Sequence, residues 1–114
     1  MNILVTGSRI GIDEQCVHDF LDQIVVKDED VIIHGGAPGV DRFASLWCLK
    51  NNVPQKIVRP VTMNVRQDYL YRNVEMVTMC DCCVAFWDGK SRGTQFTYEY
   101  ARKRNKSTYI ISIN

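Results

Sequence analysis

The sequence has no long hydrophobic run and no strong excess of charge of either sign. None of its apolar segments approaches the ~20 residues that a membrane-spanning helix requires. The segment Asn2-Ile3-Leu4-Val5 is too short for a signal peptide and lacks a basic region before it. The net charge of +1 supplies no overall basic field to hold nucleic acid. We therefore expect a cytoplasmic protein without membrane contacts, and the charge counts against nucleic acid as a partner.

Paired metal ligands are also missing. The two histidines, His18 and His34, stand apart, and three of the five cysteines crowd into Cys80, Cys82 and Cys83. A zinc site needs two separated pairs of ligands, and an odd number of crowded cysteines is not typical of a disulfide framework. We expect reduced thiols, no metal and no cofactor.

Two common nucleotide-binding motifs do not occur. Gly7 is followed by Ser8 and Arg9, so the first apolar run is not followed by G-x-G-x-x-G, and no G-x-x-x-x-G-K-[ST] is present. The first absence counts against a dinucleotide-binding Rossmann domain, and the second against a P-loop NTPase.

What the sequence does contain is a regular alternation of apolar runs and helical periods. The predicted strands are residues 2–6, DVIIHGG, KIVRPV, CCVAFW and TYIISI. Of the predicted helices, the first starts at Asp13, the second is the segment GVDRFASLWCLKNN, the third runs from near Asn64 to about Met79, and the fourth is the segment GTQFTYEYARKRN. Strands that are continuous apolar runs between helices are typical of a parallel sheet covered on both faces. We predict one domain, residues 1–114, with a doubly wound, five-stranded parallel sheet, Rossmann-like, in which strands one and four are adjacent.

The glycines are sorted to one edge of this predicted sheet. The loops after strands one, two and four read TGSR, HGGAPGVD and WDGKSRGT, whereas KDED and NNVPQ, at the opposite edge, contain no glycine. Glycine permits a tight turn with close helix packing, or it bares N–H groups that surround an anion. Because ligands of doubly wound sheets bind at the carboxyl ends of the strands, the sorting favours an anion, with positive charge from Arg9, Lys90 and Arg92.

Four motifs in this order, VTGSR, HGGAPGVDRFA, RNVEM and DGKSRGT, resemble the SLOG superfamily, which joins the DNA-processing protein A fold with the Lonely Guy phosphoribohydrolases. The resemblance covers roughly residues 2–112 and implies a Rossmann-like fold, often dimeric, with a pocket for nucleotides or nucleotide-derived molecules. The ligand-binding residues that it implies are Gly7, Ser8, Arg9, Gly35, Gly36, Gly39, Asp41, Arg72, Asn73, Gly93 and Thr94. Topology adds Asp88, at the end of strand four.

The chain departs from the Lonely Guy pattern at the catalytic position. Those hydrolases carry a glutamate in G-T-x-x-E, and here Thr97 occupies that place. Glu99 lies two residues later, which turns it about 200° around a helix. The resemblance therefore implies ligand binding, whereas it leaves the hydrolase without its acid.

Several of these residues have a structural alternative. Asp41 stabilises the first turn of a helix, or it binds a ribose hydroxyl or acts as a general base. Asp88 caps a loop or faces the crevice. Asn73 hydrogen-bonds a neighbouring backbone or a ligand, and Arg72 is solvated or binds phosphate. His34 is a structural histidine or a catalyst.

Three functions remain, ranked in this order. The first is a module that binds a nucleotide or nucleotide-derived small molecule as a sensor, carrier or sequestering protein. The second is a hydrolase of N-glycosidic or phosphoester bonds, with Asp41, Asp88 or Glu75 in the acid–base role. The third is a single-stranded nucleic-acid binder, against which the small net charge and the lack of a basic groove interleaved with aromatics count.

The third and fourth helices carry more apolar surface than one core-facing stripe needs. Such an excess is typical of an interface, and we predict a homodimer or higher homo-oligomer. The residues concerned are Tyr69, Tyr71, Met76, Met79, Phe96, Tyr98 and Tyr100.

Overall fold

The computed structural model describes residues 1–62 and 66–112. The predicted start of the third helix near Asn64 lies outside these residues. Within them, strands and helices alternate along the chain: β1 Asn2–Gly7, α1 Glu14–Ile24, β2 Val31–His34, α2 Val40–Asn51, β3 Gln55–Ile57, α3 Arg66–Met79, β4 Cys82–Trp87, α4 Arg92–Lys103 and β5 Ser107–Ser112. Asp13, where the first helix is predicted to start, is the N-cap of α1, because its side chain accepts a hydrogen bond from the Gln15 N–H.

The strands form one parallel sheet in the order β3-β2-β1-β4-β5. Leu4 of β1 is in register with Ile33 of β2 on one side and with Cys83 of β4 on the other. The predicted doubly wound, five-stranded parallel sheet is therefore confirmed, and so is the adjacency of strands one and four.

Each face of the sheet is covered by two helices. Ile3 and Val5 pack with α1 and α2, including Trp47, whereas Leu4 packs with α3 and α4, including Met76. Successive side chains of a strand point to opposite faces. An apolar strand sequence without alternation therefore fills both cores.

The third strand is shorter than predicted. The segment KIVRPV predicted a strand through Val61, but β3 ends at Ile57. Val58 still donates its N–H to the His34 carbonyl oxygen, and Pro60, which has no N–H, cannot continue the ladder. Because β3 is at the edge of the sheet, this early end leaves the central strands unaffected.

The apolar surplus of α3 and α4 is smaller than the sequence indicates. Met76 and Tyr98 are buried in the core, Phe96 and Tyr100 are half-buried, and Tyr71 is exposed. The predicted homodimer stays a prediction, with less free apolar surface to support it. No helix among the described residues is long and apolar enough to cross a membrane.

Candidate functional site

A cleft of about 410 Å³ opens at the carboxyl edge of the sheet, where β1 lies beside β4. The strand order reverses at this point, since β2 follows β1 on one side and β4 lies on the other, and doubly wound folds bind ligands at such a position. The lining residues come from the end of β1, from the loops after β1, β2 and β4, and from α2, α3 and α4: Thr6, Gly7, Ser8, Arg9, Ile10, Ala37, Asp41, Tyr69, Arg72, Asn73, Met76, Asp88, Ser91, Gly93 and Thr94.

The loop after β1 supplies the floor of the cleft. Ser8 donates its N–H to the Phe86 carbonyl oxygen, which ties the loop to β4. The residue is 1% exposed, yet its Oγ makes no hydrogen bond to the described residues. It lies near enough to the Asp88 carboxylate to help lower the pKa of that group. Because this hydroxyl lines the cleft and makes no hydrogen bond to a described residue, Ser8 is a candidate donor to a ligand.

The N–H groups of the loop after β2 are engaged inside the protein. Asp41 Oδ2 accepts hydrogen bonds from the N–H groups of Gly35 and Ala37, at 3.0 and 3.3 Å. The Gly36 N–H donates to His34 Nδ1. A phosphate at this loop would have to compete with Asp41 and His34 for these donors.

Two glycines of this loop permit close approach of the backbone. A Cβ at Gly39, which has φ +81°, would lie 2.5 Å from the carbonyl oxygens of Ser8 and Arg9. A Cβ at Gly35 would overlap the Arg72 guanidinium. Close packing therefore accounts for both glycines in the structure, and neither of them lines the cleft.

Arg72 fastens the second loop to α3. Its Nη1 donates to the carbonyl oxygens of Gly35 and Val58, at 2.8 and 3.3 Å, and its Nε donates to Asn73 Oδ1 at 2.9 Å. Burial lowers the pKa of Arg72, and Asp41 opposes that shift. Arg72 is thus a buried positioning residue at the wall of the cleft, and Asn73 finds its partner in Arg72.

The loop after β4 is organised by Asp88. Its Oδ1 accepts hydrogen bonds from the N–H groups of Lys90 and Ser91, at 2.8 and 2.9 Å, and these bonds lower the pKa of Asp88. Ser91 then caps α4, because its Oγ accepts from the Thr94 N–H and lies 3.0 Å from Thr94 Oγ1. Asp88 therefore shapes the loop that brings the N-terminus of α4 to the cleft.

Positive charge in the cleft comes from Arg9 and Arg72, and both guanidinium groups lie against one ring. Their Cζ atoms are 5.8 and 5.4 Å from the centroid of the Tyr69 ring, within cation–π range. Arg9 is exposed, in contrast to Arg72. Arg9 is consequently the arginine of this pair that can reach a ligand without breaking internal hydrogen bonds.

The three candidate acid–base residues differ in their surroundings. Burial raises the pKa of Asp41, against the lowering effects of His34, the loop N–H groups and Arg72. Asp88 is held charged by its loop, and Glu75 is exposed on α3 and does not line the cleft. Asp41 alone combines burial, a raised pKa and a position in the cleft.

The position of the hydrolase glutamate is occupied by a buried hydroxyl. Thr97 is 1% exposed and donates its Oγ1 hydrogen to the Gly93 carbonyl oxygen, at 2.9 Å. Glu99 is exposed and accepts from the Gln95 side chain. No carboxylate therefore stands on α4 among the residues that line the cleft.

The structure brings together most of the predicted site residues. Those that line the cleft are Gly7, Ser8, Arg9, Asp41, Arg72, Asn73, Asp88, Gly93 and Thr94, and those that do not are Gly35, Gly36 and Gly39. The sequence interpretation missed Tyr69 and Ser91. Their signals were available: Tyr69 precedes Arg72 by one helical turn, and Ser91 is a favoured N-cap residue before a helix.

The cysteines are dispersed through the two cores. Cys82 packs on the α1–α2 side of the sheet and Cys83 on the α3–α4 side, as neighbours on a strand must. Among the described residues, no group of three or more His, Cys, Asp or Glu side chains is placed to hold a metal ion.

Similarity to solved structures extends over nearly the whole fold. The chain matches DNA processing protein A from Streptococcus pneumoniae with a TM-score of 0.84 at 18% identity, covering 96% of this chain and 49% of that one. It matches DNA processing protein A from Helicobacter pylori with a TM-score of 0.81 at 20% identity, covering 96% of this chain and 64% of that one. The chain thus spans about half to two thirds of these proteins, and the likeness establishes the fold.

The Helicobacter pylori structure corrects one expectation. That protein has a single-stranded DNA binding mode, so the expectation against nucleic acid as a partner, which rested on net charge, is wrong as a rule for this fold. Net charge sums over the surface, whereas binding depends on where the charges lie. In this chain Arg9 projects at the cleft although the total charge is only +1.

Similarity in sequence is more specific. A relative, the Gene 61 protein of Mycobacterium phage D29, is 32% identical over 110 residues, which cover 89% of this chain and 88% of the relative. The family model of YAcAr, the YspA, cpYpsA-related SLOG family, matches residues 1–63. This match holds β1, α1, β2, α2 and β3, with two of the three loops that border the cleft. The chain belongs to the YspA, cpYpsA-related SLOG family.

Proposed function

We propose that the cleft binds the phosphate of a nucleotide or nucleotide-derived ligand, and that the chain is a binding module. The observation that carries this proposal is the Ser8 hydroxyl, which is buried at the cleft and makes no hydrogen bond to any described residue. An oxygen of a ligand would supply the missing partner.

The N-terminus of α4 supports the same placement. Gly93 and Thr94 line the cleft within the first turn of this helix. The Thr94 N–H is capped by Ser91 Oγ, whereas the N–H groups that precede it in a first turn have no intrahelical partner. The helix dipole also favours a negative charge there. Arg9, which is exposed and also lines the cleft, adds a positive charge.

The hydrolase alternative has weaker support. Thr97 occupies the position of the catalytic glutamate, and the carboxylates of Asp41 and Asp88 each accept two N–H groups from their own loops. A general base must be free to take a proton from a positioned nucleophile. These contacts favour a sensor, carrier or sequestering role over bond cleavage.

Single-stranded DNA is the second candidate ligand. The observation that favours it is the match to the Helicobacter pylori protein, whose structure concerns single-stranded DNA binding. Its phosphates would present the same chemistry to the cleft as a free nucleotide, and the two ligands differ in length and in the salt dependence of binding.

A calorimetric titration tests the proposal. The full chain is titrated with mononucleotides, cyclic dinucleotides, ADP-ribose and a single-stranded oligodeoxythymidylate, and each mixture is also analysed for released base or phosphate. We expect saturable binding of at least one of these ligands without product. Absence of binding for the whole panel would overturn the proposed function, and release of product would instead favour the hydrolase.

A further inference from the structure

A second hollow, of about 450 Å³, lies between α3 and α4 and adjoins the cleft. We call it the interhelical groove; its described lining residues are Arg66, Tyr69, Leu70, Asn73, Arg92, Gly93 and Phe96. Tyr69, Asn73 and Gly93 line the groove and the cleft alike, so the two hollows adjoin each other. The volume of the groove falls within the range of small-molecule sites, about 300–1,000 Å³.

The groove combines positive charge with aromatic surface. Arg66 and Arg92 are both exposed, and neither forms an ion pair with a described residue. No carboxylate is among the described residues of the lining. Basic side chains interleaved with aromatic rings are the combination by which proteins hold the phosphates and bases of nucleic acid.

Phe96 is the aromatic side chain best placed for a ligand base. The ring is half-buried and lies parallel to that of Tyr100, with centroids 6.1 Å apart and an angle of 6° between the planes. This stacking holds Phe96 in place before any ligand arrives, which reduces the ordering cost of binding. Tyr69, in contrast, already contacts the guanidinium groups of Arg9 and Arg72.

We propose that the interhelical groove binds a nucleobase, with Phe96 as the surface on which the base stacks. The proposal rests on the proposed phosphate site, since the base would belong to the ligand whose phosphate occupies the adjoining cleft. Arg66 and Arg92 would then bind neighbouring phosphates or the polar edge of the base. The position beside the cleft and the positive charge of the lining favour a nucleotidyl ligand over a second copy of this chain.

The test compares ligands that differ only in the base. The first pair is AMP and ribose 5-phosphate, and the second is a single-stranded oligodeoxythymidylate of about eight nucleotides and an abasic strand of the same length. Wild type should bind the base-bearing member of at least one pair more tightly. A preference in the AMP pair identifies a free nucleotide as the source of the base, and a preference in the strand pair alone identifies single-stranded nucleic acid.

Substitution of Phe96 should remove this preference. Phe96→Ala should lower the affinity for the base-bearing ligand roughly tenfold, since stacking of one base contributes about 5- to 150-fold in affinity. The affinity for the base-free ligand of the same pair should stay unchanged. Phe96→Leu, which keeps an apolar side chain, guards against a folding defect and should lose most of the same preference. Tyr109→Ala is the matched control, because this aromatic residue is 54% exposed on β5, away from the groove.

The arginines supply a second readout. Arg92→Gln should reduce the salt dependence of strand binding, with a change in slope of about 0.7 for each lost phosphate contact. Arg104→Gln, at the opposite end of the same helix, is the charge-matched control and should leave the slope unchanged.

Four results would overturn the proposal in distinguishable ways. If AMP and ribose 5-phosphate bind equally, and the two strands also do, the phosphate site stands and the groove proposal fails. If Phe96→Ala lowers the affinity for both members of a pair alike, Phe96 has a structural role. If it lowers the mass of an oligomer without a change in ligand affinity, the groove is an interface between copies of the chain. If no ligand of either pair binds to wild type, the groove proposal fails, and if no ligand of the wider titration panel binds either, the proposed function fails with it.

Discussion

Arg72 Nη1 donates a hydrogen bond to the carbonyl oxygen of Gly35, at 2.8 Å, from a residue that is only 8% exposed. This contact joins α3 to the loop after β2 across 37 residues of sequence. Because the same guanidinium also bonds Val58 and Asn73, its loss would leave several buried acceptors without a donor. We therefore expect Arg72→Ala to lower the free energy of unfolding by about 2–4 kcal/mol.

Urea denaturation measures this change, and two further variants locate its cause. Arg72→Lys keeps the charge but cannot reproduce the planar set of donors, so it should recover only part of the loss. Arg42→Ala, at an exposed position of α2, should stay within about 0.5 kcal/mol of wild type. Equal stability of Arg72→Ala and Arg42→Ala would contradict the positioning role.

The variant Ser8→Ala tests whether the Ser8 hydroxyl binds a ligand or stabilises the fold. Ser8 Oγ makes no hydrogen bond to a described residue, although it helps to lower the pKa of Asp88, so its removal should leave the melting temperature of the ligand-free protein nearly unchanged. Affinity for a phosphate-bearing ligand should fall roughly ten- to a hundredfold, because a hydrogen bond to a charged group is lost. The measurements are differential scanning calorimetry and isothermal titration with the ligand identified in the panel.

The control is Ser107→Ala, which removes an exposed hydroxyl at the amino end of β5. It should change neither the melting temperature nor the affinity. A lower melting temperature for Ser8→Ala with unchanged affinity would mean that the hydroxyl serves the fold and that the floor of the cleft does not bind the ligand.

The sheet and its order could be predicted from the sequence because the signals are local and repeated. Apolar runs such as CCVAFW reveal buried strands wherever they fall, and the right-handed crossover rule restricts the strand order. The end of β3 could not be predicted from such local signals. It depends on whether Val58 and Pro60 have a neighbouring strand to pair with, and this is decided by tertiary structure.

The site could be predicted as a location more readily than as a set of contacts. The sorting of glycines to one edge indicated the cleft between β1 and β4, where the structure has it. The sequence did not reveal that Asp41 takes up the N–H groups of Gly35 and Ala37, or that Arg72 is buried. An arginine on a helix reads as solvated until its partners, which come from distant loops, are known.

The thiols should differ sharply in reactivity. Burial raises the pKa of Cys48 to about 12 and that of Cys80 to about 11, and it also raises the pKa values of Cys82 and Cys83. Cys16 is half-buried, unlike these four. Since the thiolate is the reactive form, iodoacetamide should modify Cys16 first in the native protein.

Peptide mass spectrometry over a time course reads out each thiol separately. The four buried cysteines should be modified at the rate at which the protein unfolds, and addition of urea should bring them close to the rate of Cys16. If Cys80 or Cys82 is modified as fast as Cys16 without denaturant, the segment CDCC is more open than the structure has it.

Asp41 should make stability depend on pH in an unusual direction for a carboxylate. Burial raises its pKa in the folded state above the ordinary value of 3.8. Between the ordinary pKa and this raised pKa, the folded state binds more protons than the unfolded state. The free energy of unfolding then falls as pH rises through this window.

Asp41→Asn keeps an oxygen to accept the N–H groups of Gly35 and Ala37 but does not titrate. Urea denaturation from about pH 3 to about pH 8 should therefore show wild type losing stability relative to Asp41→Asn as pH rises, with a constant difference once Asp41 is ionised. A difference that grows in the opposite direction would mean that the loop N–H groups and Arg72 outweigh burial, and that Asp41 is held as a carboxylate for the loop.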